Sequence, residues 1–217
     1  MEHLTTVKEL HEAGLFMKEN DLVWGTAGNI SARAGENQFY ISASGTRVGH
    51  MEMDGFSLCS FEEGWVSGKK PSKEFNMHRA VYEERPEIGA ILHASPFYST
   101  LIACSDVELP SNYFVEAMYY LERVERIPYC HPGSRELADA VKEKAKDTNV
   151  MLLENHGILI YDESIKEARM ALQTMEYTAK MHITAIEKGI TMQGLNKEQE
   201  QDFLLNSGYK PVRDWPR

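Results

Sequence analysis

An α/β domain whose strands pair mainly antiparallel is what this sequence predicts, on three observations. Apolar residues recur at helical spacing near both ends of the chain, over about residues 7–20 and 163–188. Between residues 30 and 67, short β-type segments follow one another with only turns and small polar loops between them. Around residue 155 a buried-type strand turns sharply and returns. Strands that succeed one another without helices form a meander rather than repeated βαβ units. No internal repeat, low-complexity tract or linker divides the 217 residues, so residues 1–217 read as one domain, with a core at about 7–190 and a polar, loosely packed tail from Gly194.

In chain order, Thr6-x-x-Glu9 has the form of a capping box that opens a helix running to about Asn20. Gly25-Thr26-Ala27-Gly28-Asn29 breaks that pattern, and strands follow at Ile30–Ala34, Gln38–Ala43, Phe56–Ser60 and Gly64–Ser67. Ser72 is the expected N-cap of a helix carrying Phe75, His78, Val81 and Tyr82, which Arg85-Pro86 stops. A strand from Ile88 to His93 then places Ile91, His93 and Ser95 on one face. Ser99–Ser105 suits a short helix, Tyr113–Leu121 is apolar without a clear period, and Arg126–Tyr129 is extended. Gly133-Ser134 caps a helix with Leu137, Val141 and Ala145, after which strands at Val150–Glu154 and Ile158–Tyr161 flank Asn155-His156-Gly157. Asp162 is the expected N-cap of the longest helix, about Glu163–Lys188.

Composition removes several function classes. A formal net charge of −10 argues against nucleic acid as a default partner, yet leaves room for a local basic pocket. No stretch reaches the roughly 18–20 apolar residues of a membrane span, and the first residues lack the basic and apolar blocks of a signal peptide. Cys59, Cys104 and Cys130 are odd in number and widely spaced, which fits a reducing cytoplasm rather than a disulfide framework.

The chemistry concentrates in loops and strand ends. G-T-A-G-N, S-G-T and K-K-P-S-K combine small residues with hydroxyl, amide or amine groups, and together they suit a phosphate or another oxyanion. Taken singly, each is an ordinary turn. His93 and His156 each end an apolar strand, where an imidazole is either a hydrogen-bonded core group or a site residue. With Glu74 they form a donor set suited to Zn²⁺ or a related divalent ion. His11, His50, His78 and His182 read as solvated or packed, whereas His131 lies in a rigid loop, P-Y-C-H-P-G-S, from which it could reach a pocket.

Several motifs in a fixed order make the sequence resemble the class II aldolase/adducin family over about Val7 to Ile186. G-N-I-S-A-R (Gly28 to Arg33) and S-G-T (Ser44 to Thr46) are similar to its phosphate loops, and P-S-K-E (Pro71 to Glu74) to its glutamate loop. L-H-A-S-P falls on its metal strand, G-S-R-E-L on a helix start, and N-H-G on its last metal histidine. The resemblance implies a three-layer α/β/α sandwich with a central, largely antiparallel mixed sheet, assembled as a homotetramer. It implies that Gly28, Asn29, Ser44, Gly45 and Ser72 cradle a substrate phosphate, that Glu74 is the acid/base, and that His93 and His156 hold the metal. The implied reaction is aldol cleavage of a small phosphorylated ketose or sugar acid through a metal-stabilised enediolate, the metal being Zn, with Mn, Fe or Co as alternatives. Epimerisation, decarboxylation or dehydration could use the same enediolate, and adducin-type relatives use the scaffold for binding without metal.

Two positions depart from the family pattern. Typical members carry His-x-His on the metal strand, where this chain has His93-Ala94-Ser95. The second serine of P-S-S-E is replaced by Lys73. Either His131 or additional water completes the metal shell while Lys73 tightens the anion site, or the metal is lost and the chemistry has changed.

Overall fold

Alternating apolar residues along short strands require cover on both faces of a sheet, and the helices supply it. The computed structural model describes residues 2–213 and residue 215. The strands are β1 (Asn29–Arg33), β2 (Gln38–Ser42), β3 (Phe56–Ser60), β4 (Gly64–Gly68), β5 (Ala90–Ala94), β6 (Val124–Ile127), β7 (Val150–Leu153) and β8 (Gly157–Asp162). Among the described residues they form one eight-stranded sheet in the order β4-β3-β2-β1-β5-β8-β7-β6. All neighbouring pairs are antiparallel except β6 and β7. That parallel pair is joined through a helix, the crossover that parallel neighbours need. The meander expected over residues 30–67 is therefore present as β1 to β4.

The helices are α1 (Glu2–Glu19), α2 (Phe75–Glu84), α3 (Phe97–Ala103), α4 (Val115–Tyr120), α5 (Arg135–Ala145), α6 (Ile165–Lys188) and α7 (Lys197–Asn206). One face of the sheet packs Ile30, Leu92, Val150 and Ile160 against α1, α3, α4 and α6 through Leu10, Ile102, Tyr120 and Leu172. The other packs Phe39, Ile91, Met151 and Leu159 against α2 and α5 through Met77, Val81, Leu137 and Val141. This is a three-layer α/β/α sandwich. Period-2 alternation then decides what the second face receives. Asn29 and Ser31 on β1, and His93 on β5, point the opposite way from Ile30 and Leu92, toward α2.

Three expected helix caps are placed differently. Thr6 and Glu9 lie inside α1, which begins at Glu2, so they do not form its cap. Helix α2 begins at Phe75 with Glu74 as its N-cap residue, and the Ser72 hydroxyl accepts instead from the Glu74 N–H at 3.2 Å. This short turn frees the Glu74 side chain from any capping role. Ser164, not Asp162, caps α6 by accepting from Glu167 N–H. Asp162 ends β8 and accepts from Arg213 at 2.8 Å.

The tail is also more ordered than its polarity suggests. Asn196 and Gln199 form a capping box on α7. Lys210 then pairs with Glu167 at 2.6 Å, and Trp215 donates to Glu122 at 2.9 Å while lying against Arg123. These contacts join residues far apart in sequence, which is why local periodicity does not show them. No helix among the described residues is long and apolar enough to cross a membrane.

Candidate metal and active site

Three elements deliver three ligand-type side chains to one point. Glu74 comes from the turn before α2, His93 from β5, and His156 from the β7–β8 turn. Glu74 Oε2 lies 3.3 Å from His93 Nε2, and Glu74 Oε1 lies 3.2 Å from His156 Nε2. One ligand atom from each residue lies within 4.8 Å of the others, so the cluster could hold a metal ion. Gly28 makes the close approach possible. Its φ of +88° is disfavoured for other residues, and a Cβ there would sit 2.6 Å from the His93 carbonyl oxygen. Gly157 has the same function beneath His156, since a Cβ would lie 2.5 Å from Ala94 O.

The hydrogen bonds around the cluster fix its charge state. His93 Nδ1 is 2.9 Å from the Ile158 carbonyl, which can only accept, so Nδ1 carries the proton. Burial holds the His93 imidazole below its ordinary pKa despite the adjacent carboxylate. With Nδ1 engaged by the carbonyl, His93 turns Nε2 toward Glu74. Burial alone would push the Glu74 carboxyl up, but the neighbouring His93 and His156 and the Asn29 amide outweigh it and hold it well below the usual carboxylate range. Glu74 Oε1 and His156 Nδ1 are both buried and have no hydrogen-bond partner. Buried polar atoms left without partners are costly unless a cation engages the cluster. The residues present thus fit a divalent metal. His93 donating its other ring proton to a carbonyl is the arrangement that orients a ligating imidazole.

Ser95 and His131 take other positions. The Ser95 hydroxyl donates to the His156 carbonyl at 3.1 Å, which ties the two loops together and turns the hydroxyl to backbone. His131 is exposed on the loop before α5 and is not part of the ligand cluster, although Pro132 beside it reaches the cavity. The loop after Ser95 is held from the far layer. Glu176 of α6 accepts from the Tyr98 N–H, the Ser99 N–H and the Ser99 hydroxyl at 2.7 to 2.9 Å. It thereby satisfies free amides at the start of α3.

The cluster lies at the buried end of a cavity of about 510 Å³. Gly28, Asn29, Ser44, Gly45, Ser72, Lys73, Glu74, His93 and His156 all line it, so every site residue expected from the sequence except His131 meets there. Ser44, Gly45 and Lys73 are exposed at its outer edge. Trp24, Thr26, Thr46 and Thr100 also line it without having been singled out from the sequence. Two of them, Thr26 and Thr46, belong to loops whose composition already pointed to an anion.

Behind the carboxylate stands His78, which sequence reading assigned to the packed or solvated histidines. It is fully buried, with Nε2 2.6 Å from Asn29 Oδ1 and Nδ1 2.7 Å from Ser31 Oγ. Its spacing of four from Glu74, on a helix start, was the available signal. Burial pushes its pKa down from 6.5 to about 3. The unfolded chain takes up a proton near 6.5 that folded His78 refuses until about 3, so the unfolded state binds more protons within that window. Stability is thus expected to fall as pH drops below 6.5, by about 1.4 kcal/mol per pH unit from this group. Urea unfolding at pH 7 and pH 5 tests this, and His78→Gln should make the dependence shallower. An equal slope in both proteins would contradict it.

The family described as Class II Aldolase and Adducin N-terminal domain matches residues 8–183. A 3-oxo-tetronate 4-phosphate decarboxylase from Haemophilus influenzae is 32% identical over 178 residues, covering 80% of this chain and 84% of that protein. An L-fuculose phosphate aldolase from Methanococcus vannielii is 28% identical, covering 81% and 94%. The solved structure of YgbL from Klebsiella pneumoniae superposes with a TM-score of 0.86 at 26% identity, covering 94% of this chain and 99% of that one.

Proposed function

Because the chain belongs to the class II aldolase and adducin family, we propose that it is a carbon–carbon lyase acting on a small phosphorylated sugar acid, with decarboxylation of a 3-oxo acid phosphate as its reaction. Relatives named 3-oxo-tetronate 4-phosphate decarboxylase favour this over the aldol cleavage that led in the sequence reading. The observation that carries the proposal is the convergence of Glu74, His93 and His156 at the buried end of a cavity edged by small polar loops and Lys73.

In such a reaction the bond between C1 and C2 breaks and CO₂ leaves. The electron pair moves into the C2–C3 bond and onto the C3 oxygen, giving an enediolate, and a proton added at C2 completes a three-carbon hydroxyketone phosphate. A divalent ion held by Glu74, His93 and His156 would polarise the C3 carbonyl as a Lewis acid. The mixed nitrogen and oxygen donors suit Zn²⁺, with Mn²⁺, Fe²⁺ or Co²⁺ as alternatives. Glu74 would move the proton at C2. Gly28, Ser44, Gly45 and Ser72 would bind the phosphate through backbone and hydroxyl groups, with Lys73 adding charge at the cavity edge. Aldol cleavage would leave the same enediolate with an aldehyde in place of CO₂, which explains how related proteins divide between the two activities.

The reading includes a cytoplasmic homotetramer. Free Cys59, Cys104 and Cys130 support a reducing compartment. Exposed Phe97, Leu101, Tyr177 and Ile190 offer apolar surface for contacts between copies.

The test is direct. Purified protein supplied with Zn²⁺ should release CO₂ from 3-oxo-tetronate 4-phosphate faster than it forms aldehyde from L-fuculose 1-phosphate. The reverse order would reinstate aldol cleavage, and no turnover of either would favour a binding protein. Lys73→Ser should raise the KM for the phosphorylated acid about fivefold with kcat unchanged, the size expected of an exposed charge worth about 1 kcal/mol. An unaltered KM would remove Lys73 from the anion site.

A further inference from the structure

The hydrogen bonds behind Glu74 form a chain with only one consistent direction. Ionised Glu74 can only accept, so Asn29 presents its Nδ2–H to Oε2 at 2.7 Å. Its Oδ1 then faces His78, 2.6 Å away, and an amide oxygen accepts, so His78 Nε2 carries a proton. In neutral His78 the other nitrogen is an acceptor, which receives the Ser31 hydroxyl at 2.7 Å. Ser31 Oγ in turn receives the Tyr82 hydroxyl at 2.9 Å. All five residues are buried, so water does not compete for these bonds.

We propose that His78 is a positioning residue that, through the Tyr82–Ser31–His78–Asn29 chain, locks the Asn29 amide onto Glu74 Oε2 and leaves Oε1 as the working oxygen of the site. The two oxygens thereby acquire different roles. Oε2 is anchored and Oε1 is without a hydrogen-bond partner beside His156 Nε2 at 3.2 Å. Asn29 has its side chain engaged at both ends, by Glu74 through Nδ2 and by His78 through Oδ1. Asn29 and Ser31 share a strand face two residues apart, and His78 and Tyr82 share a helix face four residues apart, so the two pairs interleave.

The chain can be tested on metal-free, ¹⁵N-labelled protein. Long-range nitrogen–proton NMR should find wild-type His78 neutral with its proton on Nε2, and one Asn29 side-chain amide proton slow to exchange. His78→Gln keeps a donor near Nε2 and should retain that slow proton. His78→Met fills similar space without a donor and should lose it while the remaining amide spectrum stays folded. A proton on Nδ1 in the wild type would overturn the proposal, and so would a slow Asn29 proton in His78→Met. Because the tautomer is read in the wild type, the test stands even if His78→Met fails to fold.

A second arm uses Co²⁺ alone as probe and rests on the reading of Glu74 as a metal ligand. Visible absorption should show Co²⁺ affinity falling about 10- to 100-fold in His78→Met and recovering in His78→Gln, as expected when the support of a ligand is removed. Equal affinity in wild type and His78→Met would count against positioning. If the wild type takes up no Co²⁺, the metal reading fails, while the tautomer and amide signals still decide the role of His78.

Discussion

Glu74→Gln is expected to lower turnover about 10²- to 10⁴-fold with little change in fold, the range typical of losing a positioned acid/base. The side chain keeps its shape and can still accept from Asn29 Nδ2, so the anchoring bond at 2.7 Å survives. What disappears is the ability of the second oxygen to take and return a proton, along with the negative charge facing His93 and His156. Ten thousandfold corresponds to about 5.4 kcal/mol of transition-state stabilisation. Steady-state kinetics on the phosphorylated substrate would separate the two contributions. A loss in kcat with unchanged metal content assigns proton transfer to Glu74, whereas parallel loss of metal and kcat assigns it chiefly to the ligand set. A variant retaining more than about a tenth of wild-type turnover would remove Glu74 from the acid/base role.

His93→Ala is expected to abolish metal retention. Wild type purified without chelator should carry about one divalent ion per chain, as a site with three protein ligands would, and the variant almost none by elemental mass spectrometry. The physical reason lies in preorganisation. His93 is fixed through Nδ1 to the Ile158 carbonyl and its burial disfavours the protonated form, so it offers Nε2 at little cost in proton release or rotamer freedom. Removing it leaves only Glu74 and the partly exposed His156 of the cluster. Thermal stability should fall with the metal by mass action. His131→Ala, by contrast, should keep full stoichiometry, since that side chain stands outside the cluster. Metal lost equally from both variants would return His131 to the shell. Metal absent from wild type, even after addition of Zn²⁺ or Co²⁺, would redirect the function toward metal-free chemistry or binding.

Most of the site was legible because its residues announce themselves by context. His93 and His156 end apolar strands, Glu74 sits between a loop and a helix, and the small polar loops repeat one chemistry. The order of these motifs was enough to imply the sheet sandwich and the family. The cavity was not legible as a volume, yet nine of its lining residues were expected as site residues from the sequence. What misled was locality. Asp162 has the chemistry of an N-cap, but a chain end about fifty residues away supplies Arg213 as its partner, and Ser164 is free to cap instead. Gly194 onward is polar and was expected to be loose, but its cations and Trp215 find buried or half-buried partners on other elements.

By itself, then, the sequence determined which groups can carry the chemistry and which strands and helices bear them, because both follow from residue type and from periods of two and 3.6. Only the tertiary structure decided which groups meet. Pairing of Asn29 opposite His93 across β1 and β5, with α2 laid over both, turns an apparently packed His78 into the far support of Glu74. It also leaves His131 in solvent and turns the Ser95 hydroxyl to the backbone of His156. Those outcomes depend on register and on the direction of individual hydrogen bonds, which no local pattern encodes.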